Sequence, residues 1–216
     1  MNSSLVATCY ALVTILITGT QNITIRLAAD DGAHAFLVVL FRNLFGLLSV
    51  LAIILWRERS LPRSRYAAPI AFACTAHVAS MLCGYYGITV LPLNMSAALA
   101  FAMPLFATVG AALFLGETVR ARRWSAVIAG FFGVLIILRP GVIPFDLGAG
   151  MVLLSAMLGA GITLTFKRFA SGESGMTLIL YQSMFATLLS VPPAALVWQV
   201  PTGFAAAMMI ANGILG

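Results

Sequence analysis

The chain has 216 residues, 62% of them hydrophobic and only 8% charged, with a mean hydropathy of +1.05. Soluble domains carry roughly a quarter of their residues as charges, so this composition excludes an ordinary water-soluble globule and points to a chain that crosses a membrane several times. The formal net charge of +6 does not indicate a nucleic-acid partner, because the basic residues sit in short loops between apolar runs rather than on one exposed face.

Taken in order, the apolar runs predict seven membrane helices over residues 5–27, 35–56, 67–90, 93–116, 124–138, 148–166 and 175–198. An eighth opens near Gly203 and has about 14 residues, fewer than the 20 or so needed to cross. The opening MNSSLVATCY lacks a basic segment and runs into a span too long for a signal-peptide core, so it is read as the first helix. Cys9, Cys74 and Cys83 all lie inside spans and are odd in number, which implies packing rather than a disulfide framework.

The loops after the second, fourth and sixth spans hold nine of the twelve Lys and Arg residues: Arg57, Arg59, Arg63, Arg65, Arg120, Arg122, Arg123, Lys167 and Arg168. The opposite side has only Arg26 and Arg139, near Asp30, Asp31 and Asp146. Positive residues stay on the cytoplasmic side, so these three loops and the N-terminus are expected there.

The fourth span, LNMSAALAFAMPLFATVGAALFLGE, carries Pro104 near its middle, where the missing N–H kinks a helix. Ala100, Pro104, Thr108 and Ala112 fall four apart on one ridge, which lets a neighbouring helix approach closely. Pro104 and Thr108 are therefore expected at a kink forming a cavity wall; a plain packing helix is the other reading.

An internal repeat organises the rest. Phe41-Arg42-Asn43-Leu44-Phe45 in span 2 aligns with Tyr181-Gln182-Ser183-Met184-Phe185 in span 7, at an offset of 140 residues. Five spans per unit is an odd number, so the second unit enters from the opposite side. The expectation is an all-α polytopic membrane bundle, an inverted 5+5 helix repeat truncated within the eighth helix. The first five-helix unit is residues 1–141, and a partial second unit (spans 6, 7 and the start of 8) is residues 142–216. A chain so cut short is expected to be unstable or inactive unless a second copy in a homodimer, or another partner, supplies the missing helices.

Residues 84–141 carry the small-residue span with its central Pro104, the FLGE ending, a basic loop, Trp124, Gly130, Gly133 and the closing Arg139-Pro140-Gly141. This pattern, with the arginine-bearing FRNLFGLL of span 2, resembles the EamA-type domain of the drug/metabolite transporter superfamily. The resemblance implies a ten-helix secondary carrier of small metabolites (amino acids, nucleoside-like compounds or cofactors) in the bacterial inner membrane.

Candidate substrate-binding residues follow from polarity at membrane depth. Arg42 lies about seven residues into span 2, where a cation is costly by some ~2.5 kcal/mol or more. It is read either as a contact for a substrate carboxylate or phosphate, or as a structural bridge to carbonyls. Gln182 stands at the matching place in span 7, beside Tyr181. Gln21 and Asn22, with Thr14 and Thr18, give span 1 a polar stripe explained equally by interhelical bonding; Ser155, Gly159 and Thr163 do the same for span 6. His77 is near the middle of span 3, either a proton-coupling group or a bonded neutral histidine. Tyr85 and Tyr86 are read as cavity lining or interface anchors. Every Asp and Glu lies at a span end, so an acidic proton relay has no candidate.

Phosphate-binding, zinc-protease and serine-hydrolase motifs are absent, and Cys and His never cluster at metal-ligand spacing. No enzyme chemistry, catalytic residue, cofactor or metal is expected. The partners expected are a small-molecule substrate and the lipid bilayer, and no nucleic acid. The reading is a secondary transporter of small polar or amphipathic metabolites working by alternating access. The alternative is a non-transporting membrane scaffold, or inactive remnant of such a carrier, whose polar spans only hold helices together.

Overall fold

The computed structural model describes residues 3–57, 64, 67–114, 116, 120–138, 147–169 and 174–216. Among the described residues there are nine helices and no strands: α1 (Ser3–Asp30), α2 (Ala35–Arg57), α3 (Ala67–Val90), α4 (Leu93–Ala100), α5 (Met103–Phe114), α6 (Ala121–Leu138), α7 (Leu147–Phe169), α8 (Gly175–Leu196) and α9 (Gly203–Leu215). The segments Thr8–Asp30, Ala35–Arg57, Leu93–Phe114, Leu147–Thr165 and Gly175–Leu196 are long and apolar enough to cross a membrane, and large apolar side chains cover the outside of the bundle. The protein is an all-helical integral membrane bundle. Arg59, Arg63, Arg65, Glu117, Arg139, Asp146 and the expected unit boundary at residues 141–142 lie outside the described residues, as do the side chains of Arg122, Arg123, Lys167 and Arg168.

Local chemistry sets the turns at one end of the bundle. Gly32, at φ +90°, follows α1; its N–H donates to Ala29 O at 3.0 Å and the Ala33 N–H to Ala28 O at 2.9 Å, a Schellman stop that needs a left-handed residue. Arg26 then satisfies the end of α3, donating from Nη1 to the carbonyls of Ile88, Thr89 and Leu91 at 3.2, 3.1 and 3.0 Å, while its Nε pairs with Asp30 at 3.0 Å. Asp31 accepts from the Thr202 hydroxyl and from the Ala205 N–H, so it shares the cap of α9 with Thr202. Thus the end of α1 is tied to the end of α3 and the start of α9, where orphan helix groups most need partners.

The expected fourth span is two helices. Phe101 and Ala102 form a break of short-range turns immediately ahead of Met103, and Pro104 sits in the first turn of α5, where its missing N–H costs nothing.

Small residues set the closest packing, between α3 and α7. A β-carbon on Gly87 would stand 2.2 Å from Val152 Cγ2 and 3.2 Å from Gly148 O, and one on Gly84 would stand 2.7 Å from Ser155 Oγ. The contacts step from Leu91 against Gly148 to Ser80 against Ser155, so the two helices run antiparallel. Helices α1 and α9 are antiparallel too, Asp31 meeting Ala205 and Gln21 meeting Asn212. One core cluster joins α1, α2, α8 and α9 around Ile25, Leu37, Val38, Ala194 and Met209; another joins α4 and α7 around Leu99, Val152 and Ala156.

Candidate functional site

Four helices bring polar side chains together inside the bundle. Asn212 of α9 is fully buried and donates to Gln21 O at 3.0 Å and to Thr24 Oγ1 at 2.8 Å, while its Oδ1 accepts from the Tyr85 hydroxyl at 3.3 Å. The Arg42 guanidinium approaches Met81 Sδ, one turn before Tyr85 on α3, at 3.7 Å. His77 stands one turn before Met81 on α3. Buried polar groups are retained only where they find partners, and in lipid an unpaired one is costlier still. Here α1, α3 and α9 supply each other's partners through Asn212, while Gln21 Nε2 is left without one.

The cluster sits at depth. At a helical rise of about 1.5 Å per residue, Arg42, Gln21, Met81 and Asn212 lie roughly 10–14 Å from Ala35, Asp30, Val90 and Gly203. That is close to half of a ~30 Å hydrocarbon core.

Met81 and Tyr85 also form the wall of a cavity of about 250 Å³. Thr18, Asn22, Ser80, Ser96 and Ser155 give it polar atoms, and Ala100, Met103 and Gly159 narrow it. Ser80 donates to Ser155 O at 2.8 Å, and Ser96 to Gly87 O at 3.2 Å. Two larger grooves, about 470 Å³ between α5 and α7 and about 700 Å³ between α3 and α7, are lined by apolar side chains and threonines. They offer nothing that would orient a polar ligand. The smaller space beside Tyr85 has both the polar atoms and the apolar lining of a recognition site.

The sequence-based candidates divide. Gln21 belongs to the polar cluster and Arg42 lies beside it, Asn22 lines the cavity, and His77 stands one turn away on α3 and takes no part in the described bonds of the cluster. Tyr181 and Gln182 stand on α8 outside that lining: Tyr181 packs on Phe185 with centroids 6.3 Å apart, and the Gln182 carbonyl accepts from Cys74 Sγ at 3.7 Å. Pro104 is exposed and Thr108 donates to the Pro104 carbonyl at 2.8 Å, so the cavity wall on this span is made by Ala100 and Met103 instead. The proposed ridge is not a packing face. Ala100 and Pro104 are exposed, and close approach comes from Gly110, whose added β-carbon would meet Leu164 Cδ1 at 2.6 Å. The helix is interrupted at Phe101–Ala102, so a spacing of four is not carried across it by one continuous helix.

The span 1 threonines also differ from an interhelical network. Thr14, Thr18 and Thr20 each donate to a carbonyl of their own helix four residues back. Thr163 does the same to Gly159. Sequence reasoning missed Asn212, Thr24 and Asn43; Asn43 is buried and donates to Ala186 O at 3.4 Å, bridging α2 to α8. The available signal was an amide inside an apolar run.

The profile of the EamA-like transporter family matches residues 5–139. The chain is similar, at 27% identity over 184 residues, to an S-adenosylmethionine uptake transporter of Rickettsia felis, a match covering 85% of this chain and 62% of that one. It is 30% identical over 197 residues to a riboflavin transporter of Rhizobium johnstonii (91% and 64%) and 30% identical over 165 residues to a pseudopaline exporter of Pseudomonas aeruginosa (75% and 56%). In all three cases the chain spans less than two thirds of the relative's length.

Proposed function

The chain belongs to the EamA-like transporter family, and we propose that it serves a secondary carrier moving small polar or amphipathic metabolites across the bacterial inner membrane by alternating access. The observation that carries this reading is the Gln21–Tyr85–Asn212 cluster, with Arg42 beside it against Met81, next to a cavity at mid-depth. A scaffold gains little from an arginine at that depth, whereas a carrier needs polar groups where its substrate crosses.

The carrier reading includes the inverted repeat, with residues 1–141 as one unit and 142–216 as part of the second. Matching the units puts α1 on α7, α2 on α8 and α3 on α9. That exchange turns the α3–α7 contact into α9–α1 and the α2–α9 contact into α8–α3, and leaves α2–α8 unchanged. All five contacts are present, which supports a two-fold relation. The N-terminus is assigned to the cytoplasm, since Arg57 and Arg120 stand at the bundle end opposite the Asp31, Leu91 and Thr202 turns.

The test is flux into proteoliposomes, with S-adenosylmethionine and riboflavin as first probes because relatives are named for them. Uptake above empty vesicles is expected for the parent and a loss of tenfold or more for Arg42→Ala and Gln21→Ala. Mutants that fold and transport as well as the parent would remove the cluster from the site.

A further inference from the structure

The cavity of about 250 Å³ between α1, α3, α4, α5 and α7 is lined by five hydroxyls, and the place of each proton follows from what its partner can do. A carbonyl only accepts, so Thr18 donates to Thr14 O at 2.8 Å, Ser96 to Gly87 O at 3.2 Å and Ser80 to Ser155 O at 2.8 Å. With the Ser80 proton so placed, the 3.3 Å contact between the two serine hydroxyls has Ser155 as its donor. Asn212 turns its N–H groups to the Gln21 carbonyl and Thr24, which leaves its Oδ1 facing Tyr85 and makes the phenol the donor. All five protons are held by the protein, and what these groups have left for a ligand is oxygen lone pairs. Met81 and Met103 add thioether sulfurs, which are weak acceptors, and Asn22 is the lining side chain that carries N–H groups. None of the described lining residues is charged, and the Arg42 guanidinium stands 3.7 Å from Met81 Sδ.

A space faced with acceptors pairs with donors; away from Asn22, a ligand carbonyl or carboxylate would meet lone pairs and stay unpaired at a cost. A cationic donor would find the same oxygens but share the space with Arg42, whose like charge disfavours it. The volume falls below the roughly 300–1,000 Å³ of sites that enclose a whole drug-sized ligand, so it suits one ring-sized group. Met81, Tyr85, Ile88, Met103 and Val152 supply the apolar surface that packs on the faces of a flat ring.

We propose that this cavity selects an uncharged, flat ring bearing N–H or NH2 groups as one part of the transported metabolite. The hydroxyl oxygens of Thr18, Ser80, Ser96 and Ser155 are the acceptors for its edge, and Asn22 completes the set with an amide that both donates and accepts. This rests on the carrier reading and narrows its substrates to metabolites with an amino- or amide-bearing ring.

Thermal unfolding of the whole protein in detergent tests this with matched probes. Benzamide is compared with its donor-blocked form N,N-dimethylbenzamide, its cationic form benzamidine and its anionic counterpart benzoate; 2-aminopyrimidine and 2-dimethylaminopyrimidine make a second pair. Benzamide and 2-aminopyrimidine are expected to raise the midpoint, and the other four to need at least tenfold higher concentration for the same rise. At Gly159 an added β-carbon lies 3.4 Å from Met103 Sδ and 3.6 Å from Ser80 Oγ, ordinary contacts that spare the fold and take up cavity space. Gly159→Ala is therefore expected to unfold at the parent's midpoint without probe and to bind both donors at least tenfold more weakly, while Gly133→Ala on α6 binds them as the parent does. Asn22→Leu is expected to narrow the gap between benzamide and N,N-dimethylbenzamide at least threefold. Equal binding of a donor-blocked or charged probe, no binding of either donor, unchanged binding by Gly159→Ala or an undiminished gap in Asn22→Leu would overturn the donor-selecting cavity. Flux of a bacterial small-molecule extract into proteoliposomes of the same preparation reads the carrier separately. Compounds entering despite those failures leave the carrier standing, and none entering through monodisperse protein would overturn the carrier reading itself.

Discussion

Single side chains inside this bundle carry more consequence than their number suggests, because lipid offers no substitute for a lost hydrogen bond. Asn212 joins three helices, so its removal strands the Tyr85 hydroxyl and a Thr24 partner. Thr24 can fall back on the Gln21 carbonyl, to which it already donates at 2.8 Å. Asn212→Ala is therefore expected to cost about 1–3 kcal/mol in unfolding free energy, and Tyr85→Phe less, since it removes one bond and leaves a smaller debt of unpaired atoms. The double variant should lose less than the sum, because both remove the same bond; full additivity in a denaturant titration would show that the two side chains do not act together. At this scale the sequence was readable wherever a charge stood out. Arg42 announces itself as a cation in an apolar run, whereas Asn212 is an uncharged amide in a segment too short to cross. Arg26 reads as an edge charge; its role in closing α3 depends on which helix end lies beside it, which no local pattern encodes.

Where two helices approach most closely here, they meet through glycine and serine. The α3–α7 seam is the clearest case, and Gly87 is its tightest point. Gly87→Val is expected to destabilise by about 1–3 kcal/mol through overpacking, with Val152→Ala recovering part of it. Gly133 on α6 meets nothing within 4 Å of its missing β-carbon, so Gly133→Ala should be tolerated. Thermal unfolding in one detergent compares them; equal effects at the two glycines would contradict the seam. The helix positions themselves were legible from apolar run length, and the interruption of the fourth span falls at Phe101–Ala102, just ahead of Pro104. Which face of the fourth span packs was not, since helical periodicity assigns faces only along an uninterrupted helix.

At the level of the molecule, an all-helical bundle of apolar spans could be read directly. What the alphabet could not show is how unequally the helices are attached. Helix α6 packs chiefly on α4 and α5 and turns Ile128, Phe131, Phe132 and Ile136 outward, whereas α9 is held to α1 and α3 by the Asn212 bonds and capped by Asp31. Surfactant tails can replace purely apolar contacts but cannot replace amide-to-carbonyl links. Stepwise addition of dodecyl sulfate should accordingly peel the molecule in a fixed order: emission from Trp124 on α6 responds at the lowest concentrations, while the α1–α3–α9 knot survives as the last remnant, and the reverse order would mean that grease, not polarity, grips the centre.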